Sequence, residues 1–227
     1  MQSPITRRNL LVRGAALGLG LVTARWTAAG QTARPTPAQP KGPFYAVSEP
    51  PDSDVDLTRV RGRAGIALGE PIAVAGVVRD ARGAVLPEAW VEIWQACASG
   101  RYNHPGDRNP APLDPDFQYW GRARTDARGA YRFLTVKPGP YPNGPGWMRP
   151  PHIHFRVVAR ALPSLTTQMY FEDEPLNESD RILRSLRRED RRRLTVPFEN
   201  APEGAREGRF DVVLGWPGEA GATPGTP

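Results

Sequence analysis

Two of the chain's three histidines form His152-Ile153-His154. Residues i and i+2 of a strand point to the same face, so the two imidazoles could meet at one metal ion while Ile153 packs on the other side. Pro150-Pro151 would stiffen the approach. Two histidines in this pattern are also common as plain polar surface, so the signal is weak alone. Tyr102, in Gly100-Arg101-Tyr102, and Tyr141, in Gly139-Pro140-Tyr141-Pro142, strengthen it, because both lie in Gly/Pro-rich loops that fix a side chain's direction. Taken singly, each is a packing aromatic as readily as a ligand.

The donor types bear on the metal. Zinc or copper would call for more imidazole, thiolate or carboxylate than two histidines offer. The single cysteine, Cys97, alternates on the strand leading to Tyr102 and reads as buried. Iron(III) is harder and prefers anionic oxygen, so phenolate is its natural partner, and two phenolates with two imidazoles favour the ferric state.

These side chains need a scaffold with strands and long loops. Strand signals run through Ile72–Val78, Trp90–Trp94, Tyr131–Phe133, His152–Val158, Thr166–Phe171 and Phe210–Leu214. Asp80-Ala81-Arg82-Gly83 and Asp126-Ala127-Arg128-Gly129 supply turn chemistry. Short strands with glycine-bearing turns predict an all-β, antiparallel β-sandwich. One short C-terminal helix is expected over Ser179–Arg193, with Ile182, Leu183, Leu186 and Leu194 as its buried stripe and its arginines on a solvated face.

With these elements placed, the sequence resembles the intradiol ring-cleavage dioxygenases, nearest the iron-binding beta chains of the protocatechuate 3,4-dioxygenase type. The resemblance runs from about residue 42 to 215. It is carried by Val91-Glu92-Ile93-Trp94-Gln95-Ala96, Gly100-Arg101-Tyr102, Leu113-Asp114-Pro115, Lys137-Pro138-Gly139-Pro140-Tyr141-Pro142, Arg149-Pro150-Pro151-His152-Ile153-His154-Phe155 and Thr167-Gln168-Met169-Tyr170-Phe171. It implies a β-sandwich with long loops around Fe(3+), held by Tyr102 and His152 as equatorial and Tyr141 and His154 as axial ligands. It further implies that Tyr141 accepts a proton from the catechol, that Arg149 stabilises the catecholate, and that Gln168 contacts the reacting oxygen species. The expected reaction is cleavage of a substituted catechol by O2 between its hydroxyls to a cis,cis-muconate. Asn143 stands where protocatechuate enzymes carry a tryptophan, and the loop from Tyr141 to Arg149 is shorter, which leaves the ring substituent open. The resemblance also allows a homo-oligomer or pairing with a second, unlike subunit.

Two other readings compete. A non-enzymatic β-sandwich binding module would explain the strands but not the two tyrosines together with His-x-His. A zinc or copper hydrolase would lack a general base beside His-x-His.

The chain's ends carry a separate signal. Thr6-Arg7-Arg8-Asn9-Leu10-Leu11, followed by an apolar run from Ala15 to Ala24, reads as a twin-arginine signal peptide over residues 1–30, with export to the periplasm or beyond. The apolar run is too short to span a bilayer comfortably, so no stable membrane insertion is expected. Residues 31–70 read as linker and arm, 71–216 as the catalytic sandwich, and 217–227 as a flexible tail. The 227 residues thus suffice for one packed domain. Residues 1–30 hold four arginines and no acid, so without them the formal charge of +6 falls to +2. A nucleic-acid partner is therefore not expected.

Overall fold

The computed structural model describes residues 33–48, 50–201 and 204–216. The signal-peptide reading of residues 1–30 and the tail reading of 217–227 fall outside them.

Two five-stranded sheets enclose the core. The first is built on β1 (Pro71–Asp80), which pairs antiparallel with β4 (Ala130–Val136) along one edge. Its other edge takes β11 (Arg206–Arg209) and then β12 (Val212–Leu214), both parallel, and β10 (Phe198–Asn200) closes the sheet on β11. The second sheet runs β3 (Trp120–Arg124), β2 (Trp90–Trp94), β7 (His152–Val158), β8 (Leu165–Phe171), β9 (Thr195–Val196). A small hairpin of β5 (Tyr141–Pro142) and β6 (Met148–Arg149) stands apart.

The period-2 pattern of β7 divides the labour. Ile153, Phe155 and Val157 are fully buried in the core with Val74, Ile93 and Phe133. Each such side chain contributes roughly 1.5–3 kcal/mol of hydrophobic stabilisation. His152, His154 and Arg156 therefore lie on the opposite face. On that face the register sets Trp94 and Gln168 on either side of His154, Tyr170 beside His152, and Glu92 beside Arg156.

Three expectations need adjustment. The sandwich is all-β in character but mixed, because β9, β11 and β12 join their sheets in parallel. Secondly, β3, β10 and β11 carried no clear signal: Trp-Gly-Arg-Ala-Arg, Phe-Glu-Asn and Arg-Glu-Gly-Arg lack apolar alternation and are held by their neighbours' backbones. Thirdly, the single helix is two short ones, α1 (Arg181–Arg184) and α2 (Arg188–Leu194). They are separated at Ser185–Arg187, where the backbone tightens to Ser185→Ile182 and Leu186→Leu183 bonds and Arg187 turns extended. Leu183 and Leu194 are buried as expected, whereas Ile182 and Leu186 are only partly covered.

The arm over 52–70 is tied down. Leu57 is fully buried, and its backbone exchanges bonds with Leu134 and Gln118. Upstream, residues 36–40 lie along both sheets, with Thr36 N–H donating to Val213 O and Gln39 N–H to Thr166 O.

Candidate metal centre

Tyr102 and Tyr141 reach the outer face of β7 from two loops that touch. Gly100 adopts φ +82°, and a Cβ there would lie 2.2 Å from the Pro140 carbonyl oxygen. A Cβ on Gly139 would lie 2.4 Å from Ala98 O. Only glycine permits the approach, and the positive φ adds a second reason at Gly100. The Cys97 carbonyl accepts from both Gly100 N–H (2.9 Å) and Gly139 N–H (3.0 Å), and Asp107 Oδ2 accepts from Tyr102 N–H at 2.7 Å. Tyr141 is placed by the hairpin, in register with Arg149.

The four side chains converge. Nε2 of His152 lies 3.2 Å from Nε2 of His154 and 3.5 Å from the Tyr141 hydroxyl. The Tyr102 ring stands edge-on to Tyr141 at 5.4 Å and to His154 at 6.3 Å between centroids. All four residues are buried. Nδ1 of His152 donates to the Pro150 carbonyl at 2.7 Å, which fixes the tautomer and leaves Nε2 a bare lone pair. The Tyr102 hydroxyl has no well-formed hydrogen bond.

Burial, and then the charge of Arg149, push His152 well below its ordinary value and His154 down to about 3, so both rings are neutral donors at pH 7. Burial also holds both tyrosine hydroxyls above the ordinary phenol value, Tyr102 raised further by Tyr141 and Tyr141 partly relieved by Arg149. Two neutral imidazoles and two phenols whose ionised forms Arg149 compensates only in part make a site that a hard cation would complete, since a bound ion inverts the local pKa balance. Among the described residues no three His, Cys, Asp or Glu side chains gather as a metal cage. The tyrosines are therefore necessary to a four-donor set here, and the donors fit ferric iron.

Arg149 sits beside this set, almost wholly buried. Its Nε donates to Asp180 Oδ2 at 2.8 Å, and its Nη2 to Gln168 Oε1 at 2.7 Å and the Tyr170 hydroxyl at 3.2 Å. Nη1 makes no hydrogen bond among the described residues. Burial disfavours its charge, but Tyr141, Tyr170 and Asp180 outweigh that and raise its pKa. Gln168 is fully engaged: its oxygen accepts from Arg149 and Tyr170, and its Nε2 donates to Pro40 O at 2.8 Å.

Sequence reasoning missed several members of the surroundings. Asp180 both caps α1, accepting from Leu183 N–H at 2.7 Å, and holds Arg149. A lone acid ahead of a helix signals only a cap, and its second partner lies 31 residues away. Trp94 stacks on His154 at 4.8 Å and 9°, and Phe44 packs at 4.8 Å on Tyr102. The hairpin beyond Asn143 carries Trp147, whose ring lies 5.9 Å from the Arg149 guanidinium.

Comparison with known proteins gives the family of the chain. A dioxygenase family model matches residues 41–215. The protocatechuate 3,4-dioxygenase beta chain of Burkholderia cepacia is 44% identical over 178 residues, 76% of each chain. The protocatechuate 3,4-dioxygenase alpha chain of Pseudomonas putida is 30% identical over 193 residues, 81% of this chain and 93% of that one. Among solved structures, the dioxygenase domain of a dioxygenase–carbohydrate-binding protein fusion from Streptomyces sp. SirexAA-E superposes with a TM-score of 0.59 at 31% identity, covering 81% of this chain and 99% of that domain.

Proposed function

Because this chain belongs to the intradiol ring-cleavage dioxygenases, oxidoreductases of aromatic catabolism, we propose that it is a non-haem iron(III) enzyme acting on protocatechuate or a related substituted catechol. The ring is opened between its two hydroxyls, both atoms of O2 are incorporated, and the product is a cis,cis-muconate. The observation that carries this reading is the meeting of Tyr102, Tyr141, His152 and His154, with the His152 and His154 Nε2 atoms 3.2 Å apart and the Tyr102 hydroxyl buried without a well-formed bond.

Tyr102, Tyr141, His152 and His154 would hold the iron. When bound, iron(III) supplies Lewis acidity toward the catecholate. The chain's own residues do the rest. His152 is oriented by Pro150 O and His154 by the Trp94 ring, so neither imidazole needs to reorganise. Tyr141 takes the proton of an incoming catechol hydroxyl, its phenolate form eased by Arg149. Arg149 offers Nη1 to the catecholate charge in a water-poor setting where that charge is strongly felt. Gln168, Tyr170 and Asp180 are positioning residues that fix the guanidinium plane. Phe44 and Trp94 cover the donors against water.

Two further elements belong to the proposal. Pairing with another chain, like or unlike, fits a relationship to both the alpha and the beta chains of protocatechuate dioxygenases. Export by the twin-arginine route rests on Arg7-Arg8 and the apolar run behind them. Changing both arginines to lysine should leave precursor in the cytoplasm, and normal delivery in a strain lacking that translocase would overturn it.

The central experiment combines metal analysis, the visible spectrum and dioxygen uptake. Purified protein should hold about one iron per chain, show a phenolate-to-iron band that dithionite bleaches, and consume O2 with catechols from a panel of protocatechuate, hydroxyquinol, catechol and their chlorinated or alkylated forms. A colourless protein, inactive after iron loading, would overturn the reading.

A further inference from the structure

Tyr102 and Tyr141 belong to a small buried cluster apart from the main core, with Trp94, Ala96 and Trp120. Three residues of the N-terminal arm, Phe44, Tyr45 and Ala46, pack against this cluster and are themselves only partly buried. They therefore lie between the cluster and solvent. The Phe44 ring is 4.8 Å from Tyr102 and 6.3 Å from Tyr141 between centroids. Among the described residues it is the one ring, other than those of the four donors, in contact with either tyrosine.

The covering segment is loosely tied. Upstream, Gln39 N–H donates to Thr166 O, and Pro40 O accepts from Gln168 Nε2. Downstream, Asp52 Oδ2 accepts from Arg61 N–H, and Ser53 O from Arg122 N–H. Between these anchors, among the described residues, no backbone group of residues 41–48 bonds to the rest of the fold. Local stability follows backbone bonds and buried contacts, so this stretch opens far more readily than the strands beneath it. Gly42, at φ +73°, gives it a permissive point at its start, and a Cβ there would press on His154 Cε1 at 3.3 Å. One polar side-chain contact holds the segment down. The Tyr45 hydroxyl donates to Glu92 Oε2 at 2.8 Å, and Glu92 is held in turn by Arg156. The Tyr45 ring stands edge-on to Trp94 at 4.8 Å.

A catechol has to reach donors that are at most 6% exposed, beside an Arg149 that is 3% exposed. The other walls are less free to move. His152 and His154 sit on a strand whose opposite face is core. The Tyr102 loop and the approach to Tyr141 are bound together through Cys97 O, and Arg149 is fixed by Asp180. We propose that residues 41–48 are a lid over the metal centre, with Phe44 as the group that seals it and the Tyr45–Glu92 bond as its latch. Opening breaks the latch and lifts Phe44 from the two tyrosines, while the anchors at Gln39–Pro40 and Asp52–Ser53 stay in place. Such lids open and close on the microsecond-to-millisecond scale and set the rate at which substrate enters. This rests on the ring-cleavage reading, since the catechol is what requires the opening.

The test uses the iron-loaded full chain, with protocatechuate and 4-methylcatechol as probes. Their association is followed without oxygen by stopped flow, through the change in the visible band, so no turnover enters the readout. Tyr45→Phe removes the latch hydroxyl and keeps the ring on Trp94. It should speed association about tenfold, the worth of one hydrogen bond to a charged group, because a larger fraction of the free enzyme is open. Phe44→Ala removes the seal and should speed association likewise. In both variants, with no catechol present, iron should also pass faster to a competing chelator. A purely structural role predicts lower stability with association unchanged or slowed. Should Tyr45→Phe fold poorly, Glu92→Gln keeps the shape, weakens the same bond and carries the same expectation. Association unchanged or slowed in the latch variant, beside a wild type that binds a probe, overturns the lid alone. Wild-type protein that binds and cleaves no catechol overturns the functional reading and the lid with it.

Discussion

The guanidinium of Arg149 and the carboxylate of Asp180 meet at 2.8 Å in the interior, with the two side chains 4% and 0% exposed. Two charges out of water need further hydrogen bonds besides each other. Asp180 has the Leu183 N–H, and Arg149 has Gln168 and Tyr170, so the pair is a fixed platform holding positive charge beside the four donors.

Asp180→Asn keeps the cap acceptor but removes the counter-charge. Breaking a buried pair by taking one partner costs about 3–5 kcal/mol in stability. The kinetic effect should separate from that loss. Iron content should hold, because Asp180 touches none of the four donors, while kcat/KM for catechols falls about 10–100-fold as the guanidinium loses its fixed plane. Steady-state kinetics at a temperature where the variant is fully folded, with iron analysis on the same sample, checks this. Lowered stability with unchanged kcat/KM would reduce the pair to a structural role.

Gly100→Ala tests whether the two tyrosine loops are one unit. The added methyl meets Pro140 O at 2.2 Å and the backbone there is at φ +82°. The loops must part, and Tyr102 and Tyr141 with them. The variant should lose stability by more than the 1 kcal/mol or so of an ordinary glycine replacement, and its iron content should fall together with the visible band. Retention of full colour would show that the loops reach the metal independently.

The chemistry was more legible than its support. His152-Ile153-His154 announced its own geometry, because a strand's period of 2 leaves no choice of face. Tyr102 and Tyr141 stood out by donor type and by their Gly/Pro loops, but family resemblance was needed to make them ligands, since such a loop fixes its aromatic without saying where it points. The strands with apolar alternation were readable. β3, β10 and β11 were not, because they depend on partners remote in sequence. The helix was misread as continuous since its arginines are good helix formers, whereas the buried Leu183 and Leu194 and the tightened turn at Ser185 decide where it breaks. Asp180 signalled no more than a helix cap, because its hold on Arg149 comes from what the fold brings to it.

The depressed histidines set the acid limit. Burial and Arg149 place His152 and His154 far below the ordinary imidazole value, His154 at about 3. A group with a lowered folded-state pKa binds its proton in the unfolded chain first. Its stabilising contribution is thus complete above about pH 6.5 and lost progressively as pH falls from there toward the folded-state values. Metal-free protein should therefore show urea midpoints that decline below about pH 6.5. Iron retention should fall over the same acid range, since protons compete for the same Nε2 atoms. A flat midpoint between pH 7 and 4 would contradict the neutral, buried state of the two rings.

Removing the two tyrosine hydroxyls should have unequal effects. A packing role predicts similar losses, because both rings are buried and each packs against one of the two histidines, Tyr102 on His154 and Tyr141 on His152. Their surroundings differ. Tyr141 stands in register with Arg149, its hydroxyl 3.5 Å from His152 Nε2, and Arg149 and Tyr102 both ease its ionisation. Tyr102 is raised further by its neighbour and packs between Phe44 and His154. Tyr141 is thus the better placed to give and take a proton, and Tyr102 to remain a fixed anchor. Tyr141→Phe should keep most of its iron and a visible band from Tyr102, yet lose turnover by about 10²–10⁴-fold, the usual worth of a proton-transfer group. Tyr102→Phe should instead weaken iron retention and shift the remaining band. Iron content, the visible spectrum before and after anaerobic catechol addition, and single-turnover rates on both variants decide the matter. If Tyr141→Phe turns over at the wild-type rate, proton acceptance belongs to another group even though the four-donor site stands.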